Sequence, residues 1–280
     1  MGRDVMNAVL SRNASRIDHR AALARQHWNY ASGDYAVVGN ALQLVSEELC
    51  ESVNLCQDQR VLDVAAGNFH ASLAASRRWC EVTTADHGAG LVQRSRQRIE
   101  AESMGVRFVD GDVDALPFPD QSFDAVVSSF GAMFAIDQER AASEMIRVCR
   151  RGRQVGLANW TPGGFVGQLF QIVGKHAPQA AVVASCSWGT GARLAELFGA
   201  YGNLWVMEKH VTFRSRAPMD WIDKLRASYL PVARTFSLLD AAGKRALRSD
   251  LLELVAKFNR ATDSTMLVNA EYLEVVITRR

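Results

Sequence analysis

Between residues 60 and 160, short apolar runs alternate with helical segments, and this alternation constrains the fold more than any other feature of the chain. RVLDV (60–64) precedes ASLAASRRW, and EVTTAD (81–86) precedes GLVQRSRQRIEAES. VRFVDG (106–111) precedes a loop containing LPFPD, and FDAVVSSF (123–130) precedes QERAASEMIRVC. The turn Arg150-Arg151-Gly152-Arg153 then leads into QVGLANW (154–160). Strands and helices alternating at this spacing imply βαβ units and a mostly parallel sheet. Short β-branched runs suit strands covered on both faces.

The flanks decorate this unit. Residues 1–55 read as an N-terminal helical arm or cap. They contain the aromatic segment HWNYASGDYAVVG, then Leu42, Val45, Leu49 and Val53 on one helical stripe. Residues 56–160 form the core, and the alternation stops at Thr161. Residues 161–189, rich in Gly, Ala and aromatics, read as a lid insertion. Residues 190–214 return to the core with a helix stopped at Gly199 and the strand-like LWVMEKHVTFR. Residues 215–265 read as a helical insertion, and 266–280 as the last core strand. One domain with two insertions at strand ends fits this better than two domains. Such insertions commonly form lids and pockets.

Composition excludes several classes. The net charge is only +2, and the arginines are scattered, which does not suit a nucleic-acid binder held by phosphate contacts. The cysteines are five, widely spaced and without a C-x-x-C pair, which speaks against a disulfide framework and a zinc site. No H-E-x-x-H or comparable cluster suggests a metal. No apolar run approaches the roughly 20 residues that span a membrane, and the first twenty residues lack an apolar signal core. A cytoplasmic protein is expected. A homodimer is compatible with the apolar insertions.

In open α/β sheets, ligands sit outside the carboxyl ends of the strands. Here those ends collect polar groups: Asp63-Val64-Ala65-Ala66-Gly67, Asp86, Asp112-Val113, Ser128-Ser129-Phe130 and Asn159-Trp160. A turn that lets backbone approach a ligand wants Gly or Ala. Asp86, across one helix from Asp63, can accept from both hydroxyls of a ribose. Asp112 can accept from an exocyclic amine while the next backbone N–H, at Val113, donates to a ring nitrogen, a pairing that reads adenine. Each carboxylate also has a plain reading: Asp63 as a helix-capping or salt-bridged group, Asp86 as an N-cap, Asp112 as part of a polar turn.

With these residues in order, 60–160 resembles a class I S-adenosylmethionine-dependent methyltransferase of the type found in ubiquinone and menaquinone biosynthesis. VLDVAAGN resembles the first motif, and GDVDALPFPDQSFDAVVSSFGAMF the most recognisable run, with D-x-x-x-LPF-x-D-x-SFD. The resemblance implies an α/β, Rossmann-like, seven-stranded, mostly parallel sheet ending in an antiparallel hairpin, from strands 204–214 and 267–278. It implies S-adenosylmethionine as cofactor. Asp63, Ala65, Gly67, Asn68 and Phe69 would lie at the methionine end, Asp86 and His87 at the ribose, Asp112 and Val113 at the adenine, and Ser129 and Phe130 at the boundary with substrate. The family turn usually continues G-x-G, so Phe69 stands where glycine is expected and must point away or crowd the ligand. Replacing Phe69 by Gly together with His70 by Asn is then expected to tighten S-adenosylhomocysteine binding.

Methyl transfer is an in-line displacement from a sulfonium, so the protein mainly positions the acceptor and excludes water. Trp28, Tyr30 and Tyr35 in the arm, with Met133, Trp160, Phe165, Phe170 and Trp188, are candidates to line the substrate side. Ordinary packing is the alternative for each. His70 and His176 are the best-placed candidate bases. The apolar lid favours a small, fairly hydrophobic acceptor. Two other readings stay open: the same fold used for binding alone, and non-methylating use of the cofactor such as cyclisation or decarboxylation. A nicotinamide oxidoreductase is disfavoured by the missing G-x-G-x-x-G, the acidic Asp63 and the LPF run.

Overall fold

The computed structural model describes residues 39, 41–86, 98–102, 104–177 and 186–280. Helix α1 (Leu42–Ser52) leads into strand β1 (Arg60–Val64), helix α2 (His70–Ser76) and strand β2 (Glu81–Asp86). Strands β3 (Val106–Asp110) and β4 (Phe123–Ser129) follow, then helix α3 (Gln138–Val148) and strand β5 (Cys149–Trp160). Beyond β5 come α4 (Phe165–His176), a 3-10 turn (Cys186–Gly189), α5 (Gly191–Phe198) and β6 (Gly202–Ser215). Helices α6 (Pro218–Ser228), α7 (Leu230–Leu238) and α8 (Ala241–Phe258) precede the last strand, β7 (Met266–Arg279).

The strands form one seven-stranded sheet in the order β3-β2-β1-β4-β5-β7-β6. The first five are parallel, whereas β7 runs antiparallel to both β5 and β6. Side chains alternate between the two faces. Val61, Val82, Ala125, Val127 and Val276 pack with Leu49, Cys50 and Val53 of α1 and with the alanines of α2. Leu62, Val64, Val126, Val155 and Leu157 face the other way, into the larger core with α3, α4 and α5. Both faces are covered, which explains why RVLDV and FDAVV carry apolar residues on both faces, with Asp63 and Asp124 as the exceptions.

Two boundaries differ from the sequence reading. The turn at Arg150–Arg153 lies inside β5: Cys149 already pairs with Phe123, the register shifts before Ala125, and Gly152 takes φ +72°. The helical insertion breaks into three helices. Tyr229 is extended between α6 and α7, whose first turn carries Pro231, and Asp240 caps α8 by accepting from Gly243 N at 2.7 Å. The final hairpin is slightly longer than expected, pairing Gly202 with Arg279 through to Ser215 with Met266. Cys50, Cys80, Cys149 and Cys186 are buried thiols and Cys56 is exposed, with no disulfide among them. No helix of the described residues is long and apolar enough to cross a membrane.

Candidate active site

The turn between β1 and α2 is built from three left-handed residues at alternate positions: Ala65 (φ +50°), Gly67 (+53°) and Phe69 (+60°). Only one of them is glycine, so the chain accepts local strain of about 1–2 kcal/mol at each of the others. The turn is tied down around them. Ala65 N donates to Ala85 O at 2.9 Å, and Gly67 N donates to Asp86 Oδ2 at 2.7 Å. At Gly67 no atom of the described residues lies within 4 Å of the position a Cβ would take, which suits close approach of a ligand to this side of the turn.

Phe69 does not crowd that opening. Its ring is 1% exposed and packs beneath the turn with Leu73 and Ile99, 6.3 Å from the ring of Phe108. At this position only the backbone belongs to the turn.

Asp63 takes its plain reading as a helix-capping group. Oδ2 accepts from Ser72 N at 2.8 Å and from Ser72 Oγ at 2.6 Å, so it caps the start of α2. Among the described residues, Oδ1 is buried without a hydrogen-bond partner. Burial raises the carboxyl to about 7, opposed by the Ser72 bonds and assisted by the charge of Asp86. An unpartnered buried acceptor beside an open backbone turn suits the ammonium end of an amino-acid moiety.

His70 is buried and held neutral. Desolvation, with the neighbouring Arg98 charge, lowers it to about 4. The amide Nε2 of Gln43 donates to Glu47 Oε1 and to His70 O, so Gln43 Oε1 is oriented to accept from His70 Nδ1 at 3.0 Å. His70 Nε2 is then an acceptor and has no partner. Held near 4, this ring is a weak proton acceptor at neutral pH.

The rim continues at β4 and β5. Ser128 Oγ donates to Val64 O at 2.8 Å and accepts from Ala132 N at 2.9 Å. Ser129 Oγ meets Ser46 Oγ of α1 at 2.9 Å. Phe130 is left-handed (φ +61°) and stacks on Trp160, ring centroids 3.8 Å apart and planes within 10°. Tyr272 meets the same ring edge-on at 5.6 Å. A Cβ on Gly131 would lie 2.0 Å from Ala65 O, so glycine is required for the β4 loop to touch the β1 turn. This contact brings the end of β4, where Phe130 stands, next to the β1 turn.

Asp112 forms an isolated bridge with Ala115, and the Val113 side chain is buried. The loop behind them is clamped by α3. Glu144 Oε2 accepts from Leu116 N, while Arg147 donates to Leu116 O, Phe118 O and Asp120. The LPFPD run and the IRVC helix end thus belong to one structural unit.

The lid candidates divide. Met133, Phe165, Phe170 and Trp188 are wholly buried in the larger core, Phe165 against Trp221 and Phe258, Phe170 against Phe134 and Tyr229, and Trp188 against Phe198. These contacts are those of core packing. His176 lies on α4 with Nε2 2.8 Å from Asp250 of α8, within the helical insertion. Asn68 is placed at the turn, where a Cβ on Gly39 would come within 3.0 Å of its Nδ2. His87, Trp28, Tyr30 and Tyr35 fall outside the described residues. Ser46, Gln43 and Arg98 join the site without having been singled out in the sequence. Ser46 and Gln43 sit on the helix stripe among apolar residues, and only the tertiary fold turns them toward β4 and α2.

The strand order, the antiparallel β7 and a polar rim at the carboxyl ends define a Rossmann-like methyltransferase fold. The comparisons agree. Residues 62–155 match the family model described as a methyltransferase domain, so this chain carries a class I S-adenosylmethionine-dependent methyltransferase domain. An uncharacterized protein of Mycobacterium tuberculosis is 35% identical over 182 residues, 64% of this chain and 66% of its own length. A demethylmenaquinone methyltransferase of Deinococcus radiodurans is 32% identical over 143 residues, 49% of this chain and 59% of its own. The fold matches the crystal structure of the YcgJ protein from Bacillus subtilis with a TM-score of 0.61 at 19% identity, covering 84% of this chain and 98% of that one.

Proposed function

We propose that this protein transfers a methyl group from S-adenosylmethionine to a small, fairly hydrophobic acceptor by in-line displacement. The observation that carries this reading is the turn around Gly67, where Asp63 Oδ1, buried and without a partner among the described residues, stands beside backbone that a ligand can approach, with the Phe130–Trp160 stack at the neighbouring ends of β4 and β5. The bound cofactor supplies a methyl group already activated on a sulfonium sulfur. The protein's own part is positioning. Asp63 Oδ1 and the turn around Gly67 hold the amino-acid end; Asp86, which also braces Gly67 N, sits toward the ribose. Asp112 and Val113 lie at the adenine end. The aromatic stack presents a flat apolar wall that excludes water and orients a ring or chain. Asn159 Nδ2, a buried donor near the end of β5 without a partner among the described residues, suits an oxygen on that acceptor. His70, held near 4, is a weak base at neutral pH, so it is not the group assigned to take a proton from the acceptor.

Titration calorimetry with S-adenosylhomocysteine tests the cofactor reading, and absence of binding at millimolar ligand would sink it. Incubation with methyl-labelled S-adenosylmethionine and a small-molecule extract tests the transfer. Product analysis in the same assay separates methylation from cyclisation or decarboxylation: a transformed acceptor that carries no label overturns the proposal.

A further inference from the structure

A second group of ligand-type side chains lies on the β6–β7 hairpin, on the face opposite α1. Glu208 and His210 are two residues apart on β6 and share that face. Glu271 of β7 stands directly across the register from His210. One ligand atom from each of the three, a ring nitrogen and two carboxylate oxygens, lies within 4.8 Å of the other two.

Three further observations bear on what this group is for. His210 Nε2 and Glu271 Oε2 are 4.0 Å apart. That is too long for a hydrogen bond, and a small side-chain rotation would bring the two atoms to the roughly 3.4 Å edge of a tetrahedral shell with bonds of about 2.1 Å. The other Glu271 oxygen, Oε1, accepts from Thr161 Oγ1 at 2.6 Å. Such an outer hydrogen bond fixes the orientation of a ligating carboxylate. Among the described residues, neither Glu208 nor Glu271 pairs with a lysine or arginine. The cation between Glu208 and His210 in sequence, Lys209, points to the opposite face and is engaged by Glu274 and Glu48.

The geometry points to a divalent transition-metal site formed by Glu208, His210 and Glu271. Imidazole with two carboxylates suits Zn²⁺ or Mn²⁺ better than Mg²⁺ or Ca²⁺, which favour all-oxygen shells. The scaffold is rigid, since the ligands stand on two strands paired over their whole length. Three protein ligands leave coordination positions for water or an acceptor oxygen. The site is close to the sheet rim: Thr161 directly follows Trp160, and Glu271 directly precedes Tyr272, both members of the aromatic wall. The sequence carries no sign of it, because Glu-x-His is an unremarkable spacing and only the hairpin register brings in Glu271.

The test uses the full chain, stripped with chelator and exchanged into metal-free buffer, and does not depend on methyl transfer. Calorimetry with zinc chloride and manganese EPR should show one ion per chain, with a dissociation constant in the micromolar range. His210→Ala and Glu271→Gln should each weaken binding by about tenfold or more. Circular dichroism checks that the fold is kept, which the surface position of His210 favours. Absence of binding up to about 1 mM metal, or binding that survives the combined His210→Ala and Glu271→Gln change in a folded chain, overturns the site.

Discussion

Phe69 shows how a residue that reads as a defect becomes a structural part once its direction is known. Its backbone sits in the left-handed region, where glycine would relieve about 1–2 kcal/mol, but its ring fills the space beneath the turn. Emptying such a space costs about 3–5 kcal/mol. Phe69→Gly should therefore destabilise the chain by roughly 2–3 kcal/mol, the difference of the two, as read from urea unfolding. The double change of Phe69→Gly with His70→Asn should weaken S-adenosylhomocysteine binding in calorimetry, the reverse of what the sequence alone led us to expect. The motif made the site legible, but the direction of one side chain depended on Ile99 and Phe108, which no local pattern connects to it. Asp63 and His70 give a second prediction. Asp63 is raised to about 7 in the fold, against roughly 3.9 unfolded. Its protonated form is the stable one, so its contribution is complete below about pH 4 and is lost as pH rises through 7. His70 is lowered to about 4, against about 6.5 unfolded. Its contribution is complete above about pH 6.5 and is lost as pH falls through 4. Between about pH 4 and 6.5 the two slopes, each about 1.4 kcal/mol per pH unit, have opposite sign and cancel. Relative to the parent, Asp63→Asn should gain stability as pH rises through this window, and His70→Gln should lose it. Denaturation at three pH values across the window checks this, and curves parallel to the parent's would rule out the assignment.

At the scale of elements, most strands lie where the apolar runs place them, because both sheet faces are covered and the inner strands are apolar on both faces. What the runs did not disclose is how loops are held. The LPFPD loop reads as a polar, proline-marked turn, yet its carbonyls are satisfied by Arg147 of α3, nearly thirty residues away. Arg147 also pairs with Glu144, which accepts from Leu116 N, so helix and loop are joined through three backbone groups. Arg147→Met would leave two carbonyls and two carboxylates without their Arg147 donor. The expected loss is about 2–3 kcal/mol in chemical denaturation, with Arg147→Lys restoring only part, since an ammonium cannot serve the same fork of acceptors. Because Asp112 and Val113 lie at the head of this loop, the same variant should also bind S-adenosylhomocysteine less tightly. The lid was the least legible element. Its aromatics have the composition of a pocket and the packing of a core, and composition alone cannot separate the two when a helical insertion supplies its own partners, as Trp221, Tyr229 and Phe258 do here.

At the scale of the whole molecule, the sheet's late strands are joined to its earliest helix by a buried charge. The strand pattern of LVNAEYLEVVITRR places Glu274 on the same face as Tyr272 and Val276, and in the fold that face is covered by α1, leaving Glu274 fully buried. A lone carboxylate there would be costly. It is compensated by Lys209 of β6, 2.9 Å away, and by the hydroxyl of Ser52 at the end of α1, while Lys209 also reaches Glu48 on the same helix. Burial alone would lower the Lys209 ammonium, but its bonds to Glu274 and Glu48 prevail and hold it raised. None of this is visible in the sequence, because the partners stand on three elements that meet only when the sheet is complete. The pair therefore reports on assembly of the entire fold. Lys209→Met should lose about 3–5 kcal/mol by stranding Glu274. Glu274→Leu on that background removes the stranded charge and should recover most of the loss, since an apolar pair of similar volume is often neutral or better. Urea denaturation of the parent, both single variants and the double variant gives the coupling directly. A double variant no more stable than Lys209→Met alone would mean that Glu274 is not held by Lys209, and that α1 is fastened to the hairpin by apolar packing alone.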